Sequence, residues 1–124
     1  MKDCDPQTSA YRALIDQLAN ETTRSVSSVI VKTALFRETS DDAPFNKLLT
    51  SLSQSQREIL SQMLLAERKD AIHDTLAVLT WWIECKALSL TFEGKPMPVD
   101  LSGTGLHGDF IGRCADWDWP AAAS

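Results

Sequence analysis

The stretch DAIHDTLAVLTWWIECKAL, residues 70–88, decides the fold class of this chain. At about 100° per residue, the aliphatic residues of an α-helix with this sequence share one narrow stripe. The stripe consists of Ile72, Leu76, Leu79 and Ile83. Three more residues widen it on one side, namely Ala71, Val78 and Trp82. A face this broad is typical of a central helix contacted by several neighbours, so the sequence predicts a mainly α protein built around it.

The N-terminal segment shows the same helical spacing. Its apolar residues recur every three or four positions and are Tyr11, Leu14, Ile15, Leu18 and Ala19. Thr8 or Ser9 is the predicted N-cap, and the helix is expected to end near Asn20. Residues 1–8 are polar and include a proline, which predicts a flexible lead.

The segments between these two helices predict further helices. We expect a second helix over 26–37, although the β-branched run 29–31 leaves a strand open. A short third helix is expected over 45–52. The sequence Ser-Gln-Ser-Gln at 53–56 has the spacing of a capping box, which begins a fourth helix. That helix is predicted to end or bend near 67–70, and one continuous long helix is the alternative because no Gly or Pro marks a break.

The C-terminal third changes period. Alternating apolar residues and a turn signal at 93–96 predict a β-hairpin over 88–101. Residues 102–124 are expected to form an irregular tail that packs on the bundle. Within it, Asp109 is predicted to be the N-cap of a short turn at 110–113. The expected architecture is a single domain over 1–124: a small helical bundle of about four to five helices with a short C-terminal β-hairpin and an irregular tail.

Charge excludes some classes of partner. The 124 residues carry a net charge of −5, from 17 acidic and 12 basic side chains. Proteins that bind nucleic acid usually present a basic stripe, because neutralising phosphates supplies much of the affinity. Here the basic residues are scattered along the chain. We therefore expect no binding to nucleic acid and none to an anionic membrane surface.

Cysteine usage and the N-terminus predict the compartment. Cys4, Cys85 and Cys114 are odd in number and widely spaced, unlike a disulfide framework. Residues 1–12 are polar and lack the apolar run of a signal peptide. The longest apolar-rich stretch, 76–83, is too short to cross a bilayer. These observations predict a protein of the reducing cytoplasm.

An acidic row is the first candidate site. On a helix continuous through Glu67, that residue shares a face with Asp70 and Asp74. Carboxylates so placed suit Mg²⁺, which prefers oxygen ligands. Only one such acidic motif is present, however, and a solvated polar face is the favoured interpretation. The row therefore stays an alternative metal site, and no cofactor is expected.

A polar pocket is the second candidate site. It would join one flank of the central helix to the glycine-rich loop and would consist of His73, Thr80, Glu84, His107, Asp109 and Arg113. Such a group supplies an acid–base pair and a partner for an anion, as a small enzyme or ligand-binding domain requires. His73, His107 and Asp109 are also a ligand set for Fe²⁺ or Zn²⁺. No established motif supports either interpretation.

Tryptophans form the third candidate. Trp81 points away from the apolar stripe, and Trp117 and Trp119 alternate with acidic residues near the C-terminus. Exposed aromatic residues are enriched at interfaces, so these three define a candidate interaction surface. The favoured structural alternative is that the tail folds back and covers Trp81.

The last third of the chain also resembles a known family. LHGDFIGRCADWDWP (106–120), preceded by SLTFEGKPMPVDLSGTG (89–105), is similar to the C-terminal part of a small bacterial domain-of-unknown-function family. The resemblance implies a bacterial cytoplasmic protein and brings no catalytic residues with it.

These observations lead to two functional hypotheses. The leading one is a non-enzymatic interaction domain, either immunity- or inhibitor-like or self-associating, because acidic helical domains complement basic surfaces and no catalytic motif is intact. Its partner would be another protein or a second copy. The alternative is a small enzyme or ligand-binding domain that uses the polar pocket.

Overall fold

The computed structural model of the protein describes residues 5–121. Its elements in chain order are α1 (Pro6–Asn20), α2 (Val26–Thr33), α3 (Ala43–Ser51), α4 (Gln54–Lys86), β1 (Thr91–Phe92), β2 (Lys95–Pro96) and α5 (Leu106–Cys114). The prediction of a mainly α fold with a short hairpin is confirmed. Contacts group the described residues into a terminal unit, residues 5–20 with 70–121, and a middle unit, residues 21–69. None of the helices within 5–121 has the length and apolarity to span a membrane.

Asp5 caps the first helix. Its carboxylate accepts hydrogen bonds from the Thr8 hydroxyl at 2.6 Å and the Thr8 backbone N–H at 3.0 Å. These bonds favour the ionised form and lower the pKa of Asp5. Pro6 takes the first helical position, where its missing N–H costs nothing. The predicted cap at Thr8 or Ser9 is therefore wrong, and residues 6–8, which were expected to belong to the lead, are part of α1. Residues 1–4, with Cys4, lie outside the described residues.

The middle unit begins with α2, which is helical where a strand was the alternative. A capping box of Ser25 and Ser28 starts it. It ends at Thr33, earlier than predicted, because Ala34 is extended and Arg57 takes the last carbonyls. The Arg57 guanidinium donates to Val31 O at 2.6 Å, and to the carbonyl groups of Ile30 and Ala34. A side chain thus bonds the Val31 and Ala34 carbonyl groups, which a longer helix would have bonded, and shares that of Ile30 with Ala34 N.

Helix α4 is continuous over its 33 residues. The predicted capping box is present, since Ser53 N donates to Gln56 Oε1 at 2.8 Å and Gln56 N to Ser53 Oγ at 3.2 Å. The expected end or bend near residues 67–70 is wrong, and the long-helix alternative holds. The helix stops at Lys86 because Ala87 turns into the left-handed region at φ 57°.

The core of the terminal unit lies between α1, α4 and α5. Its buried side chains are Tyr11, Ile15, Leu76, Leu106 and Phe110, with Ile72, Leu79 and Ile83 packed against them. The predicted stripe of α4 therefore does face the core. The side that was expected to widen it does not, because Val78 and Trp82 are 58% and 46% exposed.

The hairpin is shorter than residues 88–101. Thr91 pairs with Pro96 and Phe92 with Lys95, and Glu93 and Gly94 at the turn have φ of 51° and 76°. Two positive φ values in a two-residue turn match the twist of the flanking strands. Residues 106–114 then form α5 instead of an irregular tail with a short turn.

Candidate functional site

Asp109 lies inside α5, fully buried, and is not the N-cap that the sequence suggested. Its carboxylate accepts hydrogen bonds from the Leu101 and Ser102 backbone N–H groups, each at 2.7 Å, and from the Tyr11 hydroxyl. The Tyr11 hydroxyl also accepts from Asp100 N at 3.2 Å. Burial, together with the bond to Asp109, raises the pKa of Tyr11. Asp109 thus ties α1 to the loop before α5.

Arg113 and Trp119 hold the C-terminal segment against α1. Arg113 Nε donates to Asp16 Oδ1 at 2.6 Å, and Trp119 Nε1 donates to Asp16 Oδ2 at 3.1 Å. The Trp119 ring packs edge-on against Tyr11 at 6.0 Å, with the Arg113 and Arg12 guanidinium groups 5.4 and 5.7 Å from its centroid. The tail therefore covers Tyr11 and not Trp81, which corrects the sequence-based expectation.

Gly112 allows the rest of the tail to approach. A Cβ there would lie 3.2–3.3 Å from atoms of Trp117, whose ring is 5.4 Å from that of Trp119. Both tail tryptophans are partly buried. Their contacts with α1 and α5 are those of side chains that close a core.

The predicted polar pocket is assembled only in part. The structure brings together His73 and His107, whose ring centroids are 5.2 Å apart with an interplanar angle of 87°. His107 Nδ1 lies 3.3 Å from Thr80 Oγ1. The polar atoms of Asp109 and Arg113 are engaged in the hydrogen bonds described above. Glu84 is exposed to solvent. What remains of the pocket is a pair of imidazoles beside a buried threonine.

Gly105 makes room for this histidine pair. Its φ is 94°, and a Cβ there would lie 2.6 Å from His107 Cε1 and 2.9 Å from Thr80 Cγ2. Both the backbone conformation and the space therefore require glycine. Sequence reasoning placed Gly105 only within a glycine-rich loop, whereas in the structure it makes room for the His107 imidazole.

The acidic row is exposed along α4, with Glu67, Asp70 and Asp74 all reaching solvent. Asp74 Oδ1 lies 3.1 Å from His73 Nδ1. Between residues 5 and 121 no group of three or more His, Cys, Asp or Glu side chains is arranged to hold a metal ion. The alternative magnesium site at this row therefore draws no support from the part of the chain described.

A second feature of α4 is an apolar face directed to solvent, which we call the α4 outer face. It consists of Val78, Trp81, Trp82 and Cys85, spaced by three and four residues. Trp81 is 50% exposed; its ring packs edge-on against that of Trp82 at 5.8 Å, and Lys86 Nζ lies 5.6 Å from its centroid. Sequence reasoning identified Trp81 alone, although the same helical spacing would have joined the other three.

The middle unit carries an apolar groove that sequence reasoning missed. It has a volume of 260 Å³ and is lined by Ser27, Val31, Phe36, Phe45, Leu48, Leu49, Leu60 and Leu64. Phe36 and Phe45 pack edge-on at 5.9 Å. Asn46 bridges the loop beside the groove, accepting from Phe36 N at 2.8 Å and donating to Phe36 O at 3.1 Å.

Comparison with known proteins gives a family and no relative of known activity. No curated protein and no solved structure matches the chain. One family model, described as a family of unknown function (DUF6547), matches residues 5–121. The resemblance recognised in the last third of the sequence therefore extends over almost the whole chain. The chain belongs to the DUF6547 family.

Proposed function

We propose that this protein is a non-enzymatic interaction domain that self-associates through the α4 outer face. The observation that carries the proposal is the pair of adjacent, half-exposed tryptophans on one regular helix, Trp81 and Trp82. Tryptophan is enriched among the residues that dominate binding energy, because its large apolar surface is costly to leave in water. Within the described residues neither the Trp81 nor the Trp82 indole N–H donates a hydrogen bond. The Trp119 indole N–H, in contrast, donates to Asp16.

The spacing of the face favours a second copy as the partner. Within the face, Val78, Trp81 and Cys85 follow one another at intervals of three and four, the spacing of a coiled-coil seam. Asp74, four residues before Val78, extends this row beyond the N-terminal end of the face. A two-fold axis across this seam would pack two identical stripes antiparallel, with the same residues contributed by both copies. Two-fold homodimers with such self-complementary surfaces are the commonest oligomers.

Charge at the two ends of the face supports an antiparallel arrangement. Asp74 stands at its N-terminal end, and Lys86 borders its C-terminal end. In an antiparallel pair each end meets the opposite end of the other copy, so the carboxylate of one molecule approaches the ammonium group of the other. Complementary charges at the rim set orientation more than affinity.

The composition and the cysteines extend the proposal. The net charge of −5 favours a protein partner over a nucleic acid. The Cys85 thiol is free and exposed, which supports a reducing compartment, the cytoplasm. The proposal also includes a bacterial origin of the protein, which the family resemblance implies.

The test is molar mass as a function of concentration, by light scattering after size exclusion in the presence of reductant. We expect the wild-type chain to approach twice its monomer mass and the Trp81→Glu variant to remain monomeric. Ile59→Glu is the matched control, because Ile59 lies on the same helix, is 56% exposed and is outside the face. That control should dimerise like wild type.

A wild-type protein that stays monomeric at several hundred micromolar would overturn self-association. A dimer that survives Trp81→Glu and is lost in Ile59→Glu would move the interface to another part of α4. If the wild type is monomeric but binds a basic partner protein in a Trp81-dependent way, the immunity- or inhibitor-like form of the hypothesis replaces self-association.

A further inference from the structure

We infer that His73 and His107 form a two-histidine site for a divalent late transition-metal ion, with Zn²⁺ as the reference ion. The two imidazoles lie outside the α4 outer face, so the inference does not rest on self-association; Asp74 is the one side chain that it shares with the proposed dimer seam. Imidazole nitrogen is a preferred ligand for Zn²⁺, Ni²⁺ and Cu²⁺.

The separation of the two rings suits a shared ion. Two imidazoles that bind one tetrahedral Zn²⁺, each at about 2.0–2.1 Å, have ring centroids roughly 5 Å apart. The centroids of His73 and His107 are 5.2 Å apart. The two residues come from different elements, α4 and α5, so tertiary packing and not local sequence sets this distance.

The surroundings of His107 select the tautomer that a metal requires. The Thr80 hydroxyl donates its single hydrogen to Leu76 O at 2.9 Å and accepts from Leu106 N at 3.0 Å. Towards His107 Nδ1, 3.3 Å away, the Thr80 oxygen can then act only as an acceptor. The proton of neutral His107 therefore sits on Nδ1, and the Nε2 lone pair is left to bind a metal.

Asp74 has the same effect on His73. Its carboxylate oxygen lies 3.1 Å from His73 Nδ1 and can only accept. The proton of His73 is thereby held on Nδ1, which again leaves Nε2 as the ligand atom. Metal-bound histidines usually donate their other N–H to a carboxylate or another oxygen, which orients the ring and raises its basicity.

The loop before α5 fixes His107 in place. Gly105 accommodates the imidazole as described, and a Cβ at Gly108 would meet Thr104 Oγ1 at 1.8 Å. The Leu106 N–H bond to Thr80 anchors the first residue of α5 to α4. The His107 ring is therefore held by packing and hydrogen bonds before any ion binds. Since the described residues offer no group of three ligands, water would complete the coordination.

The test uses Zn²⁺ alone, titrated into the purified protein and followed by calorimetry. All proteins carry Cys4→Ser and Cys85→Ser, so that neither of these thiols supplies a ligand. We expect one ion per chain, and loss of binding in both His73→Gln and His107→Gln. Asp74→Asn should weaken binding by about tenfold, because a neutral amide oxygen is a weaker acceptor for the His73 Nδ1–H than a carboxylate. Asp70→Asn, a neighbouring exposed acid on α4, is the control and should bind like its parent.

Long-range ¹H–¹⁵N spectra of the two imidazoles provide a readout besides affinity. In metal-free protein both neutral rings should carry their proton on Nδ1, and Zn²⁺ should shift both Nε2 signals together. The inference is overturned if Zn²⁺ moves neither signal or only one, or if binding persists in His107→Gln. Circular dichroism of each variant identifies any that lost binding because it unfolded.

Discussion

The chain uses tryptophan in two opposite ways. Trp119 lies against Tyr11, two guanidinium groups lie within 5.7 Å of its ring centroid, and its N–H donates to Asp16. Trp81 and Trp82 contact each other and Lys86, and about half of each side chain remains in solvent. An indole that donates its N–H and packs its ring on an apolar surface completes the core of its own chain. An indole that lacks both a hydrogen-bond partner and a covering surface remains available to another molecule. The comparison separates the part of the terminal unit that serves stability from the part proposed to serve binding.

The largest expected effect is on the closed side, at Asp109. Asp109→Ala should lower the free energy of unfolding by roughly 3–5 kcal/mol, because it leaves the buried Tyr11 hydroxyl and two part-buried backbone N–H groups without an acceptor. Urea unfolding measures this loss. Asp118→Ala, at an exposed carboxylate, should stay within about 0.5 kcal/mol of wild type. Equal stability of the two variants would contradict the role assigned to Asp109.

The second prediction compares alanine substitutions at the two kinds of tryptophan, Trp119 and Trp81. Trp119→Ala should cost about 2–3 kcal/mol, since it removes a large side chain from Tyr11 and leaves the Asp16 carboxylate with one fewer donor. Trp81→Ala should change the unfolding of the monomer by less than about 0.5 kcal/mol and should weaken dimerisation. Thermal unfolding below the dissociation concentration, beside molar-mass measurements, separates the effects. If Trp81→Ala lowered the free energy of unfolding more than Trp119→Ala, the proposed difference between the two tryptophans would be contradicted.

The third prediction concerns alkaline pH. The pKa of Tyr11 is raised by burial and by its bond to Asp109, so its stabilising contribution is complete below the unfolded-state value near 10 and is lost as pH rises above it. Tyr11 is the only tyrosine, so the difference in absorbance at 295 nm between wild type and Tyr11→Phe reports its ionisation, with the change from the four tryptophans subtracted. We expect ionisation to coincide with unfolding. The Tyr11→Phe variant should lose less stability above that pH, and ionisation in a still-folded protein would contradict the burial.

The smallest expected effect is at the start of α1. The pKa of Asp5 is lowered by its bonds to Thr8. Its contribution is therefore present above the ordinary carboxylate pKa and lost as pH falls through the lowered value. Asp5→Ala should lower the melting temperature slightly at neutral pH and leave it unchanged at strongly acidic pH. Asp41→Ala, at an exposed loop carboxylate, should show no such difference.

Much of the helical architecture could be predicted from local sequence. Three local signals each specified the element in which they lie. They are the apolar stripe at residues 72, 76, 79 and 83, the capping box at Ser53, and the turn signal before Pro96. Helical periodicity and capping are local interactions, so a single sequence carries them. The limits of α2 and α4 were less predictable, since Arg57 ends the former from 26 residues away in the sequence.

The sequence by itself determined a mainly α chain, the central helix and the family resemblance. Only the tertiary structure decided the environments of the candidate residues, because each depends on partners distant in the sequence. Asp109 is buried and accepts a hydrogen bond from Tyr11, which is 98 residues away in the sequence. His107 lies beside His73 because α5 packs on the loop before it and on Thr80. The difference between Trp119 and Trp81 has the same origin: burial depends on which surfaces meet when the chain folds, and residue type and local spacing do not set it.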